Sequence, residues 1–144
     1  MLSAAAVVAC ALYVLGRSEA SMPKIELVDS IPIEASERVE AYVRRSDNTI
    51  YLVTSSPAFL EAQSLKGGCS ESRPMKKLAS ILAHEEWHVR HGPDEKAAYE
   101  TQLTTLIRLG IQPGTAVYTG VVRSMQAVLK KQNRKPDMIL AARR

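Results

Sequence analysis

The chain has 144 residues, 46% of them hydrophobic and 24% charged, with 19 lysines and arginines against 15 acidic residues and a formal charge of +4. A single core of this size buries about two thirds of the unfolded surface, so one domain is expected, and the composition excludes a disordered chain or a coiled-coil array. The late cations Lys130, Lys131, Arg134, Lys135, Arg143 and Arg144 have no aromatic residue among them. They read as a solvated C-terminus, and no nucleic-acid partner is expected.

Leu2 to Gly16 carries no charge and ends at Arg17. Its length fits the apolar region of a secretory signal, about 7 to 15 residues, better than a bilayer-spanning helix of about 20. Ser18-Glu19-Ala20 places small residues where a signal peptidase reads, with a cut before Ser21. Residues 1–20 are therefore expected to be a signal peptide or an N-terminal membrane anchor attached through residues 2–16. Residues 21–144 are then one domain, exported (periplasmic or secreted) or anchored facing outward. With such a leader removed Cys69 has no partner, so no intramolecular disulfide is expected, and Gly67-Gly68-Cys69-Ser70 reads as a turn with a spectator thiol.

Lys24 to Val28 alternates between Pro23 and Asp29-Ser30 and reads as a short strand. Glu34 to Arg44 fits either a helical turn or the approach to a strand. Ala41 to Arg45 and Thr49 to Thr54 are rich in β-branched and aromatic residues, and Ser46-Asp47-Asn48 between them supplies turn residues, so a hairpin is expected. Pro57 suits the first turn of a short helix over Ala58 to Gln63, and Lys66 to Arg73 reads as a loop.

From Pro74 the pattern is helical, with Ser72 as the cap and Gly92-Pro93 as the stop. On this helix Leu78, Leu82, Glu85 and Val89 share one stripe, and Ile81, His84, His88 and His91 share another. Asp94 caps the next helix, which stops at Gly110. Gln112-Pro113-Gly114 is a turn, and a last helix runs from about Thr115 to Gln132. The expected fold class is α+β, a small mixed or antiparallel sheet packed on the histidine-bearing helix and the C-terminal helices.

The chemistry sits in His84-Glu85-Glu86-Trp87-His88. Histidines four apart on a helix project from one face with Cβ atoms about 5 to 6 Å apart, close enough to grip one ion. Zinc takes imidazole nitrogen, and a catalytic zinc keeps one position open for water. Glu85, beside the first histidine, then serves as general base for that water. A chance His-Glu-x-x-His in a chain of this length arises on the order of once in a few hundred sequences. Two histidines leave such a site one protein ligand short. Glu95, in the first turn of the returning helix, is the first choice; Glu100 and Asp94 are the alternatives. Trp87 is expected to pack against the hairpin.

His84-Glu85-x-x-His88, followed by Gly92 and then Glu95-x-x-Ala98-Tyr99, resembles the gluzincin branch of the zincin metallopeptidases in a compact, minimal form. The resemblance spans His84 to Tyr99. It implies one zinc per chain held by His84, His88 and Glu95, with Glu85 as base and a peptide or protein as substrate. It also implies a residue that steadies the tetrahedral oxyanion, for which Tyr99, Tyr118 and Arg123 are candidates. Such folds set an edge strand above the active-site helix, where substrate adds as a further strand, and Thr49 to Thr54 is the candidate for that role. The alternative from another class is a non-catalytic exported or membrane-anchored protein with a structural zinc or incidental histidines.

Overall fold

The computed structural model describes residues 1–30, 39–66, 69 and 72–134. It is an α+β arrangement in which a small three-stranded sheet and the helices around it share one main core. The expected helical turn at the start of 34–44, residues 67, 68, 70 and 71 of the expected loop at 66–73, and the basic tail from 135 onward lie outside the described residues.

Helix α1 covers Ala4–Leu15, with the Ser3 hydroxyl accepting from the Ala6 amide at 3.1 Å as its N-terminal cap. The apolar run that suggested a leader is folded here into the core: Val7, Ala11, Leu12 and Leu15 are buried and join the cluster built on the long helix α3. The valine and leucine side chains each contribute about 1.5 to 3 kcal/mol by leaving water. Its exit is pinned as well. Arg17 pairs with Glu86, Arg90 reaches both Glu86 and the Ser21 carbonyl at 2.8 Å, and Arg108 donates to the Leu15 carbonyl at 3.2 Å. No helix among the described residues is long and apolar enough to cross a membrane.

In the full chain Cys69 does have an intramolecular partner, since Cys10 and Cys69 form a disulfide across 59 positions of sequence; the expectation of none applied to a chain without residues 1–20. The sequence reading set Cys10 aside with the leader. Only the packing of α1 against α3 brings the two sulfurs together.

Strand β1 (Ile25–Val28) pairs in parallel with β3 (Thr49–Val53), and β2 (Ala41–Arg44) pairs antiparallel with β3, giving the order β1-β3-β2. The β2–β3 hairpin forms as its turn residues suggest. Asn48 takes a left-handed φ of +52°, and the Asp47 carboxylate accepts from the Thr49 amide at 3.3 Å. One expectation fails here. Thr49 to Thr54 is not an edge: β3 is the central strand, and all five of its residues are buried. A second strand on its other side was not visible in the hairpin pattern, since β1 joins it from 25 positions earlier, with Ile25 opposite Ile50. Among the described residues the outer strands of the sheet are β1 and β2.

Helix α2 (Pro57–Gln63) is capped by Ser56 and buries Phe59. Helix α3 (Arg73–His91) is capped by Ser72 and buries Met75, Leu78 and Leu82, and α4 (Glu95–Arg108) and α5 (Ala116–Arg134) follow it. Between α4 and α5 a second small cluster forms around Leu103, Leu106, Ile111 and Val121. Trp87 does not pack on the hairpin as expected. It lines a cleft of about 400 Å³ with Leu15, Arg17, Thr101 and Arg108, because its position on α3 faces α1 and α4 rather than the sheet.

The disulfide closes a loop of about 59 residues, so the loss of chain entropy it imposes on the unfolded state is worth about 4 kcal/mol. Replacing Cys10 and Cys69 together by serine is expected to lower unfolding stability by up to about that amount in denaturant titration. An unchanged midpoint would show that the crosslink is idle.

Candidate metal centre

His84 and His88 sit one turn apart near the C-terminal end of α3, and Glu95 opens α4. Between them the chain reverses at Gly92, whose φ of +110° is open to glycine and strained for other residues. Gly92 also accepts, through its carbonyl, the Nδ1 hydrogen bond of His88 at 2.8 Å. The turn thus does two things: it brings Glu95 back along α3, and it orients one of the rings.

The ligand atoms of His84, His88 and Glu95 lie within 4.8 Å of one another, as in a cluster able to hold a metal ion. His84 Nε2 is 3.2 Å from Glu95 Oε1, and His88 Nε2 makes a short contact with the same oxygen. Both rings therefore aim Nε2 at one point while Nδ1 points outward, His84 toward Gln102 Oε1 at 2.9 Å and His88 toward Gly92. Glu85 is buried, with Oε2 3.9 Å from His84 Nε2, so it borders the cluster without joining it.

The two carboxylates are driven in opposite directions. Burial raises the Glu85 carboxyl above the usual carboxylate range, and the nearness of His84 and His88 offsets only part of that rise. Burial also works to raise Glu95, but hydrogen bonds from both imidazoles and their charge outweigh it and hold Glu95 down at about 2. For His88 burial opposes the charged form, yet the bonds to Glu95 and the Gly92 carbonyl raise it overall. Tyr99 lays its ring edge-on to His84 with centroids 4.5 Å apart. Burial, followed by the charges of Glu95, Glu85 and Glu40, pushes its phenol above the ordinary value.

The structure thus brings together His84, Glu85, His88, Glu95 and Tyr99 from the sequence candidates. It does not bring in the others. Asp94 is exposed and spends its carboxylate on the Ala97 amide at 3.1 Å as the α4 cap, and Glu100 is exposed on the far side of that helix. Tyr118 packs in the α4–α5 cluster, and Arg123 is exposed on α5. His91, on the same stripe as the ligands in projection, stacks on Trp87 instead, with centroids 4.9 Å apart. Gln102 and the Gly92 carbonyl are the members that sequence reasoning missed. Gln102 follows Glu95 by seven positions, on the same face of α4, and that spacing was the available signal.

Compared with known proteins, no family model, curated sequence or solved structure matches the chain.

A pair of glycine substitutions tests the turn. Gly92→Ala has open space for its Cβ but a strained φ, and is expected to lose about 1 to 2 kcal/mol in thermal unfolding. Gly120→Ala, in α5 with nothing near its Cβ and no positive φ, is expected to gain up to about 1 kcal/mol. Equal effects at the two sites would remove the special role of the Gly92 conformation.

Proposed function

We propose that this protein is a zinc-dependent peptidase of minimal, gluzincin-like zincin type, with one zinc per chain held by His84, His88 and Glu95. The observation that carries the proposal is the convergence of three ligand atoms within 4.8 Å beside the buried carboxylate of Glu85. Two imidazole nitrogens and one carboxylate oxygen are the donor types of a catalytic zinc that keeps a coordination position for water or substrate. When bound, the ion supplies a Lewis acid that polarises a peptide carbonyl and acidifies water at neutral pH.

The chain's own groups divide the remaining work. Glu85, whose burial increases its appetite for a proton, takes one from the attacking water and returns it to the departing amine nitrogen. Glu95, kept ionised by the two imidazoles, neutralises part of the ligand cluster's positive charge. Tyr99 has its ring against His84 and its phenol within the influence of Glu85, Glu95 and Glu40, and is the candidate to donate to the developing oxyanion.

A peptide substrate would add to an open sheet edge, and β2 is the edge tied to α3, through Lys77 and Glu40 at 3.7 Å. Because the Val53 amide bonds the Glu40 carbonyl at 3.0 Å, the antiparallel alternation turns the amides and carbonyls of Ala41 and Val43 outward. Among the described residues no strand pairs with that side of β2, so an extended chain could bond there. The setting proposed for this activity is an exported or outward-facing one.

Glu85→Gln is expected to leave zinc content near one per chain while peptide cleavage falls by at least about a thousandfold, as measured by metal analysis and a peptide-library assay. Cleavage retained by that variant would refute the enzymatic reading. No cleavage by the parent protein, with zinc bound, would leave the structural-zinc alternative.

The ligand set has its own test. Glu95→Ala is expected to lose zinc on dialysis far more readily than Glu100→Ala or Asp94→Ala. The reverse order would move the third ligand elsewhere.

A further inference from the structure

Resting on the metal-site reading above, we propose that Gln102, held by Ser80, is a positioning residue that fixes the tautomer and orientation of His84 and so presents Nε2 to the metal. Gln102 is only 5% exposed and Ser80 is fully buried, so their polar atoms must be partnered within the protein. The Ser80 hydroxyl gives its one proton to the Lys77 carbonyl at 2.6 Å. Its oxygen is thereby left as an acceptor, and it takes the Gln102 amide Nε2–H at 3.3 Å. That orientation puts Gln102 Oε1, which can only accept, against His84 Nδ1 at 2.9 Å. Nδ1 must then carry a proton, so Nε2, which donates to Glu95 here, is the nitrogen left to bind a metal ion.

A flipped amide would break this order at both ends. Its oxygen would face the Ser80 oxygen, whose proton is committed to Lys77, and its NH2 would demand a lone pair on His84 Nδ1. The imidazole proton would then sit on Nε2, the nitrogen that has to bind the metal. His88 needs no such device, because the Gly92 carbonyl is an obligate acceptor for its Nδ1–H. The two rings are thus set by different means, one by backbone and the other by a buried relay from the Lys77 carbonyl through Ser80 and Gln102.

The choice of an amide also has a consequence. A neutral acceptor orients the ring without adding a third negative charge to a site that already holds Glu85 and Glu95.

The test uses the full chain, zinc alone as the probe, and chelator competition for affinity, with long-range 1H–15N spectra of the imidazoles recorded in zinc-free protein. Gln102→Leu is expected to weaken zinc binding by about 10- to 100-fold and to give His84 a mixed tautomer signature. Gln102→Glu, which keeps an accepting oxygen for Nδ1–H but loses the N–H given to Ser80, is expected to hold the Nδ1–H form and to bind zinc less weakly than Gln102→Leu. Ser80→Ala, which frees the amide to flip, is expected to fall between them. It also serves if Gln102→Leu does not fold.

Parent affinity and an unchanged His84 tautomer in folded Gln102→Leu, or in Ser80→Ala should the first not fold, would overturn the proposal. If the parent binds no zinc, the peptidase reading fails by itself. The loss of the Nδ1–H signature in the variants would still establish the positioning role.

Discussion

The chain reverses in the three residues between α3 and α4, and that reversal turns two helical histidines into a three-ligand cluster. On α3 alone His84 and His88 would be a pair of half-buried imidazoles with a short reach. Gly92 provides the backbone angle that ends the helix, Asp94 caps the next one, and Glu95 arrives as the first residue of α4 with its carboxylate between the two rings. The sheet, α1 and α5 all stand outside this turn, but their packing fixes the helices that it joins. The functional reading is therefore sensitive to a backbone feature that carries no reactive group.

Burying two carboxylates and two imidazoles in one place costs stability, since each charged form loses hydration that the protein only partly replaces. The arrangement sorts the carboxylates by environment. Glu95 touches both imidazoles and is held low, whereas Glu85 is enclosed beside them and is driven up. Carboxylates pushed apart in this way are suited to different tasks, one to remain an anionic ligand and the other to accept and return a proton. A purely structural zinc would have use for the first and none for the second. The burial of Glu85 is thus what favours the catalytic reading over the structural one, and it is why the glutamine variant discriminates between them.

Much of this was legible in residue order because the informative signals were local. The spacing of His84 and His88, the cap-and-stop pairs Ser72 with Gly92 and Asp94 with Gly110, and the hairpin turn at Asp47-Asn48 each depend on neighbours within a few positions. What escaped was nonlocal. The parallel partner of β3 joins from the far side of the hairpin, which moves Thr49 to Val53 from edge to centre. Cys10 meets Cys69 only after α1 has packed beside α3. Trp87 is expected at the hairpin, but its angular position on α3, which only the helix packing reveals, points it at α1 and α4. Gln102 was overlooked because its seven-residue spacing from Glu95 gains meaning only once its neighbour across the helix pair is known.

Helix α3 has three faces in use, and together they explain how the histidines keep their aim. Leu78 and Leu82 anchor one face in the core formed with the sheet and α1. Glu86 and Arg90, on a second face, are locked to Arg17 and to the Ser21 carbonyl. The third presents His84 and His88 to α4, where Gln102 and Glu95 hold the rings. A rolling motion of the helix would have to break contacts on all three faces at once, so the ring positions are fixed by the fold rather than by the ligands alone. The N-terminal segment enters the functional argument at this point. Through Arg17, the wall of α1 and the Cys10–Cys69 crosslink, it bears on the rotation of the helix that carries the site, although none of its side chains reaches the ligand cluster.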